Sequence, residues 1–212
     1  MERILIGTKS LGKMSQYRDT LKELDLDQKF EFINLKDFVS PASPIEVRED
    51  AFTFEENAVK KAVAYGRRYM MSCISDATGL IVPALGNRPG VHSDRDGYSP
   101  KRVLDDLDRM PAGTERRARM VTSMAFYDPG LDSFISVTDF RDGTIARRRD
   151  WVKTAFGYEG IFCLEGKTIA RYLRTGYQRG CKFSRLRVGV PRAACLALLL
   201  ERIQNKDGLT HA

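Results

Sequence analysis

The stretch spanning residues 70–80 constrains the fold of this chain more than any other. Met70-Met71-Ser72-Cys73-Ile74 is a short, largely apolar run that leads straight into Ser75-Asp76-Ala77-Thr78-Gly79-Leu80. Such a run reads as a buried strand. It delivers Asp76 to the strand's end beside a Gly-containing turn, where α/β proteins hold metals and phosphates. An ordinary turn with an Asx cap accounts for the same residues, and the local pattern by itself favours that plainer reading. Thr78-Gly79 is expected to break the strand, with Leu80-Ile81-Val82 opening a second extended piece.

Upstream, Arg3-Ile4-Leu5-Ile6-Gly7-Thr8 reads as a short apolar strand ending in small residues. Lys9-Ser10-Leu11-Gly12-Lys13 follows, and then Met14, Tyr17, Leu21 and Leu24 recur at helical spacing. Strand, Gly/Ser/Thr/Lys loop and helix in that order make an anion-binding turn: free backbone N–H groups, a favourable helix dipole, and Lys13 as a point charge. The full Walker pattern Gly-x4-Gly-Lys-Ser/Thr is not present, and many first βα turns of this composition bind nothing. Residues 31–35 predict a second strand, and residues 37–44 a loop fixed by Pro41 and Pro44. Thr53 with Glu56 three residues later forms a capping box, starting a helix that runs past Tyr65 to Met70. Asn57 and Lys61 share one face of it, where a solvated polar stripe is the commoner outcome.

Downstream, Ser99-Pro100 caps a helix over 101–109 carrying Val103, Leu104 and Leu107. Arg116-Arg117-Ala118-Arg119 precedes an extended segment over 120–127, Asp128-Pro129-Gly130 turns, and 134–140 alternates like the returning strand. Arg141-Asp142-Gly143-Thr144-Ile145 reads as one more hairpin. A Gly/aromatic loop, Ala155-Phe156-Gly157-Tyr158-Glu159-Gly160-Ile161-Phe162, follows, and a last helix spans 191–203. Together these predict an α/β fold with a long sheet and flanking helices, in which the antiparallel pieces form a second lobe or extend the sheet.

Composition narrows the chemistry. With only His92 and His211 and no CxxC pair among four cysteines, a histidine metal site or a Ser-His-Asp triad has no basis. Any metal should be a hard cation held by carboxylates. The net charge of +7 favours an anionic partner, but the arginine runs lack interleaved aromatics or a recognisable nucleic-acid module, so nucleic acid is not the expected one. No apolar run reaches membrane-span length, and no signal-peptide layout precedes the first strand, so a cytoplasmic protein is expected.

In order along the chain, these pieces resemble the inosine triphosphate pyrophosphatase family, which removes non-standard purine nucleotides. Thr8-Lys9-Ser10-Leu11-Gly12-Lys13 resembles its Thr-Gly-Asn-x-Gly-Lys phosphate loop. Glu49, Thr53-Phe54-Glu55-Glu56-Asn57-Ala58 and Lys61 resemble its Glu-x3-Thr-Phe-x-Glu-Asn-Ala-x2-Lys-Ala signature. Asp76-Ala77-Thr78-Gly79-Leu80, Ala84-Leu85-Gly86 and Pro89-Gly90-Val91 are similar to Asp-Asp-Ser-Gly-Leu, Ala-Leu-Gly-Gly and Pro-Gly-Val. Phe156-Gly157-Tyr158-Glu159 resembles Phe-Gly-Tyr-Asp. The resemblance implies that Thr8, Ser10 and Lys13 cradle phosphates and that Lys61 neutralises the triphosphate. It implies Mg²⁺ on Glu49 and Asp76, and a base held between Phe156 and Tyr158, with Glu159 at its edge. Asn57, Thr78, Gly79 and Gly157 fall at further substrate-contacting positions. The implied architecture is one domain over 1–212, a long, mixed, twisted sheet flanked by helices, with two lobes and a central nucleotide-binding cleft. The implied reaction is metal-assisted attack of water on the α-phosphorus of a nucleoside triphosphate, releasing pyrophosphate, in a homodimer.

Two departures stand out. The family's second aspartate, metal ligand and water-activating base, is Ala77 here; losing a general base costs about 10²–10⁴-fold in rate. Asp76 is a doubtful replacement, because consecutive strand residues point to opposite faces. The chain therefore reads as an inactivated variant, a natural non-catalytic nucleotide-binding protein, or a diverged hydrolase of a biosynthetic pathway using Glu46, Glu49 or Asp76. The second departure is the missing Ser-His-Arg base reader; Ser184-Arg185 preceded by Lys182 is its nearest echo, with Lys182 and Arg185 as candidate contacts.

Overall fold

Alternation along three short strands decides how the first part of the chain packs. The computed structural model describes residues 1–37, 46–93, 96–152, 155–178, 190–205 and 210–211. Strand β1 (Glu2–Ile6) pairs in parallel with β2 (Phe30–Asn34) and β3 (Cys73–Val82), setting Ile4 against Phe32, Leu5 against Cys73 and Ile6 against Ile74. Successive side chains point to opposite faces. Ile4, Ile6 and Ile74 therefore join a core with Met14, Tyr17 and Leu21 of α1 (Leu11–Glu23) and Leu196, Leu199 and Leu200 of the last helix. Leu5 and Cys73 look the other way and pack with Tyr65 of α2 (Phe54–Tyr69). Each such aliphatic side chain contributes about 1.5–3 kcal/mol on burial.

Contacts divide the chain into two compact units. The first comprises Met1–Thr78, Thr122–Asp139 and Arg185–Ala212, and the second Gly79–Val121 and Phe140–Ser184. In the first, the sheet order is β2-β1-β3-β5-β6, with β5 (Arg117–Asp128) and β6 (Ser133–Ile145) entering from the second, and β9 (Thr210–His211) pairing with Ser133-Phe134. In the second, β4 (Arg88–Pro89) pairs with the end of β3, and β7 (Phe162–Leu164) and β8 (Lys167–Thr168) continue from β6 as antiparallel neighbours. Helices α3 (Pro100–Asp108) and α4 (Ile169–Gln178) belong to the second unit, and α5 (Pro191–Asn205) to the first. The expected mixed α/β sheet with flanking helices is the architecture found.

Several sequence expectations need correction. β3 does not begin at Met70, which ends α2 in the left-handed conformation with φ of 49°. Nor does Thr78-Gly79 interrupt it: the strand runs unbroken through ten residues. The hairpin expected over 141–145 is likewise absent, and β6 continues as a 13-residue strand. Gly143 is there because a Cβ would come within 2.2 Å of the Cys163 carbonyl oxygen on β7. A glycine admitted for close backbone approach inside a strand carries the same letter as one in a turn. The loop predicted over 37–44 lies mostly outside the described residues.

Candidate active site

The turn after β1 is shaped by Gly7. A Cβ at that position would lie 2.0 Å from Ser75 Oγ and 2.8 Å from the Tyr65 ring, so only glycine lets the backbone press against β3. Its N–H donates to the Ile74 carbonyl at 2.7 Å, and Ser75 Oγ donates to the Gly7 carbonyl at 3.4 Å. The Thr8 hydroxyl accepts the Ser10 N–H at 3.2 Å, and Ser10 caps α1 by accepting the Lys13 N–H at 3.3 Å. Lys13 is thereby fixed in the first turn of α1.

Asp76 lies where that lysine reaches. Its side chain is 1% exposed, and its two oxygens accept four different donors. Tyr17 Oη donates to Oδ1 at 2.6 Å; Lys13 Nζ, Thr78 Oγ1 and Arg192 Nε reach Oδ2 at 3.1, 3.0 and 3.3 Å. Burial pushes this carboxyl up, but the charges of Lys13, Arg192 and Lys61 outweigh it and hold the group well below the usual carboxylate range. Burial also raises the Tyr17 phenol far above its ordinary value, with Asp76 adding to it, and so fixes tyrosine as a donor. Burial draws the Lys13 ammonium down, with Asp76 opposing.

Arg192 is the residue that sequence reasoning missed. It stands second in α5, buried, with Nη1 on Gln16 Oε1 and Nη2 on Thr78 Oγ1 at 3.1 Å. A charged residue immediately after Pro191, at the start of an otherwise Ala/Leu-rich helix, was the available signal. Thr78 also shares a hydrogen bond with Thr122 of β5 at 2.9 Å, so its hydroxyl belongs to this network.

The α2 side of β3 carries different groups. Lys61 is buried; its Nζ donates to the Asp76 carbonyl at 2.6 Å and pairs with Glu49 at 2.8 Å. Asn57 is fully buried, and its amide brackets Ala51, accepting from the N–H at 3.1 Å and donating to the carbonyl at 3.4 Å. The solvated stripe is thus not what forms, and Asn57 braces the segment bearing Glu49. β3 alternates Cys73 and Ile74 between the α2 and α1 sides, so Ala77 shares the α2 side and Asp76 the α1 side. Gly79 is buried inside the strand.

The second unit holds the aromatic turn. Gly157 opens a single 3-10 turn, Gly157–Gly160, with φ of 57°. Glu159 is buried and its carboxylate accepts the Phe156 N–H at 2.8 Å, while Tyr158 Oη donates to the Tyr98 carbonyl at 2.7 Å. Glu159 therefore braces the turn, at the position where the resemblance sets a residue near the base edge. Lys182 and Arg185 lie outside the described residues.

The implied magnesium does not fit what is present. Among the described residues no three acidic, histidine or cysteine side chains converge as a metal site. Asp76 is saturated by donors, Ala77 offers no oxygen, and Glu49, 42% exposed at its side chain, already pairs with Lys61.

A family model described as the Ham1 family matches residues 4–175. The chain belongs to the Ham1 family. A Geobacillus kaustophilus protein named dITP/XTP pyrophosphatase is 37% identical over 179 residues, covering 80% of this chain and 83% of that one. A Bacillus cereus protein of the same name is 34% identical over 173 residues, covering 78% and 80%. Among solved structures, the Staphylococcus aureus Ham1 protein superposes with a TM-score of 0.69 at 23% identity, covering 98% of this chain and all of that one. A Mycobacterium abscessus nucleoside-triphosphatase / dITP/XTP pyrophosphatase gives 0.60 at 26% identity, covering 97% and 98%. Arg192 lies beyond the residues that the Ham1 model matches. No helix among the described residues is long and apolar enough to cross a membrane.

Proposed function

We propose that this Ham1-family chain is a nucleoside triphosphate pyrophosphohydrolase-like protein for non-standard purine nucleotides whose own turnover is severely reduced by Ala77. The observation that carries this reading is the pair of lysines, Lys13 and Lys61, held on either side of β3 by the Asp76 side chain and backbone respectively. An arriving triphosphate meets fixed ammonium groups, which stabilise negative charge without reorganising. The hydrolysis adds water to the α-phosphorus and expels pyrophosphate, leaving a monophosphate. That water needs a base. Ala77 supplies none, and Glu49 is held by Lys61.

Nucleotide pyrophosphatases of this class generally need a divalent metal. Asp76 is taken up by its four donors and Glu49 by Lys61, so neither is open to a cation as the groups stand. Phe156 and Tyr158 are assigned to the base, Thr8 and Ser10 to the phosphates once their capping bonds are shared. A cytoplasmic location accompanies the proposal, and the resemblance adds a homodimer. Ala77 also favours a second reading, a nucleotide-binding protein that does no chemistry.

The test is equilibrium binding of dITP and XTP, together with pyrophosphate release, for the chain and for Lys61→Ala. The proposal expects binding with at most slow release, and binding weakened in the variant. Absence of nucleotide binding by the chain would overturn it.

A further inference from the structure

Charge is shared unevenly between the two units. Gly79–Val121 with Phe140–Ser184 carries 18 Lys and Arg against 10 Asp and Glu, whereas the remaining residues carry 17 against 18. The entire excess therefore resides in the second unit, and the phosphate-binding lysines Lys13 and Lys61 are not part of it.

Much of that excess stands in one segment. Arg147, Arg148 and Arg149 are consecutive, and the following Asp150 is engaged elsewhere, accepting from Thr168 Oγ1 at 2.6 Å and Arg171 Nη2 at 3.4 Å. Arg147 and Arg148 are exposed and form no ion pair among the described residues. Arg149 lays its guanidinium 3.9 Å from the centroid of the Trp151 ring, and its Nε has no hydrogen-bond partner. Trp151 is the only tryptophan of the chain and is 75% exposed. The segment is nonetheless pinned: Ala146 N–H donates to Ile161 O and Asp150 N–H to Gly160 O, both at 2.8 Å. A second stack stands on the exposed strand face of the same unit, Arg119 over Phe140 at 4.1 Å, with Phe140 46% exposed.

We propose that the arginine-tryptophan segment over 147–151 of the second unit binds single-stranded nucleic acid. A protruding indole backed by a guanidinium, on a segment whose backbone is hydrogen-bonded to its neighbours, offers a π-face on which an unpaired base can stack, and the unpaired arginines meet the adjoining phosphates. Duplex nucleic acid keeps its base faces covered. An acidic peptide satisfies the arginines but leaves the indole unused, and an anionic membrane calls for several inserting apolar side chains where the run supplies one. The nucleic-acid reading set aside from sequence thus returns, because the exposure of Trp151 and its stack with Arg149 come from the folded segment and not from the letters.

The lone tryptophan makes the test direct. Single-stranded DNA and RNA oligonucleotides of about 15 residues are titrated into the full chain while Trp151 emission is read, at two or more salt concentrations. Saturable quenching is expected, with log affinity falling against log salt at a slope of about −1.4 to −2.1, corresponding to two or three phosphates. By anisotropy of a labelled oligonucleotide, Arg147→Ala/Arg148→Ala and Trp151→Ala should each weaken binding about 10-fold or more, with unchanged unfolding midpoints and unchanged dITP binding. The proposal is overturned if emission does not respond to oligonucleotide at low salt, or if the double variant binds like the parent. It is equally overturned if dITP displaces the oligonucleotide stoichiometrically, or if anionic vesicles or polyglutamate perturb Trp151 where oligonucleotides do not.

Discussion

Asp76 and Ala77 are adjacent in sequence and face opposite ways, and the site's character follows from that. Asp76 is a buried counter-ion for Lys13 and Arg192. Removing one partner of a buried pair strands the other charges, at a cost of about 3–5 kcal/mol. Asp76→Asn should therefore lower stability by that order in urea denaturation at pH 7. The carboxyl is held below its ordinary range in the fold, so its contribution is complete above the unfolded-state value of about 4 and is lost as pH falls from there toward the folded-state value. The gap between parent and variant should narrow below pH about 4; a gap as wide at pH 3 as at pH 7 contradicts the assignment. The acid at a strand end next to small residues was legible from sequence. Its saturation was not, because Tyr17 and Arg192 are brought to it from α1 and α5 by packing that no local pattern encodes, whereas Thr78 follows from strand alternation along β3.

Among elements, α2 was the most legible, since a capping box is a local signal. The Thr53 hydroxyl accepts the Glu56 N–H at 3.1 Å, and the Glu56 carboxylate accepts the Thr53 N–H at 3.1 Å. Thr53→Ala should cost about 1 kcal/mol, read as a lower unfolding midpoint. The long strands were least legible. Gly79 and Gly143 read as breaks because a glycine letter does not distinguish a turn from a strand interior, and Gly143 is pressed against the Cys163 carbonyl. The β1-α1 turn shows the same physics with a functional edge: Gly7→Ala drives a methyl into Ser75 Oγ and the Tyr65 ring. It should reduce both stability and nucleotide affinity, whereas Gly86→Ala, with φ of 66° but open space around it, should leave affinity unchanged. Equal affinity losses in the two variants would detach the phosphate turn from binding.

At the scale of the whole molecule, each unit carries one half of the chemistry that the resemblance names: the lysine corner in the first, the Phe156–Tyr158 turn in the second. A ligand that binds only the folded chain stabilises it by mass action, by about 2.7 kcal/mol at a hundred times its Kd. A saturating dITP concentration should raise the unfolding midpoint of the parent, and the shift should shrink at the same concentration in Lys61→Ala. The central claim is that this corner is a pyrophosphatase site lacking one carboxylate on the α2 side of β3. It is tested most directly by pyrophosphate release from dITP with Mg²⁺ present, comparing the chain with Ala77→Asp. Restoring the carboxylate beside Glu49 and Lys61 should speed release by about 10²–10⁴-fold. Equal rates in the two proteins, whether both silent or both active, would contradict the account.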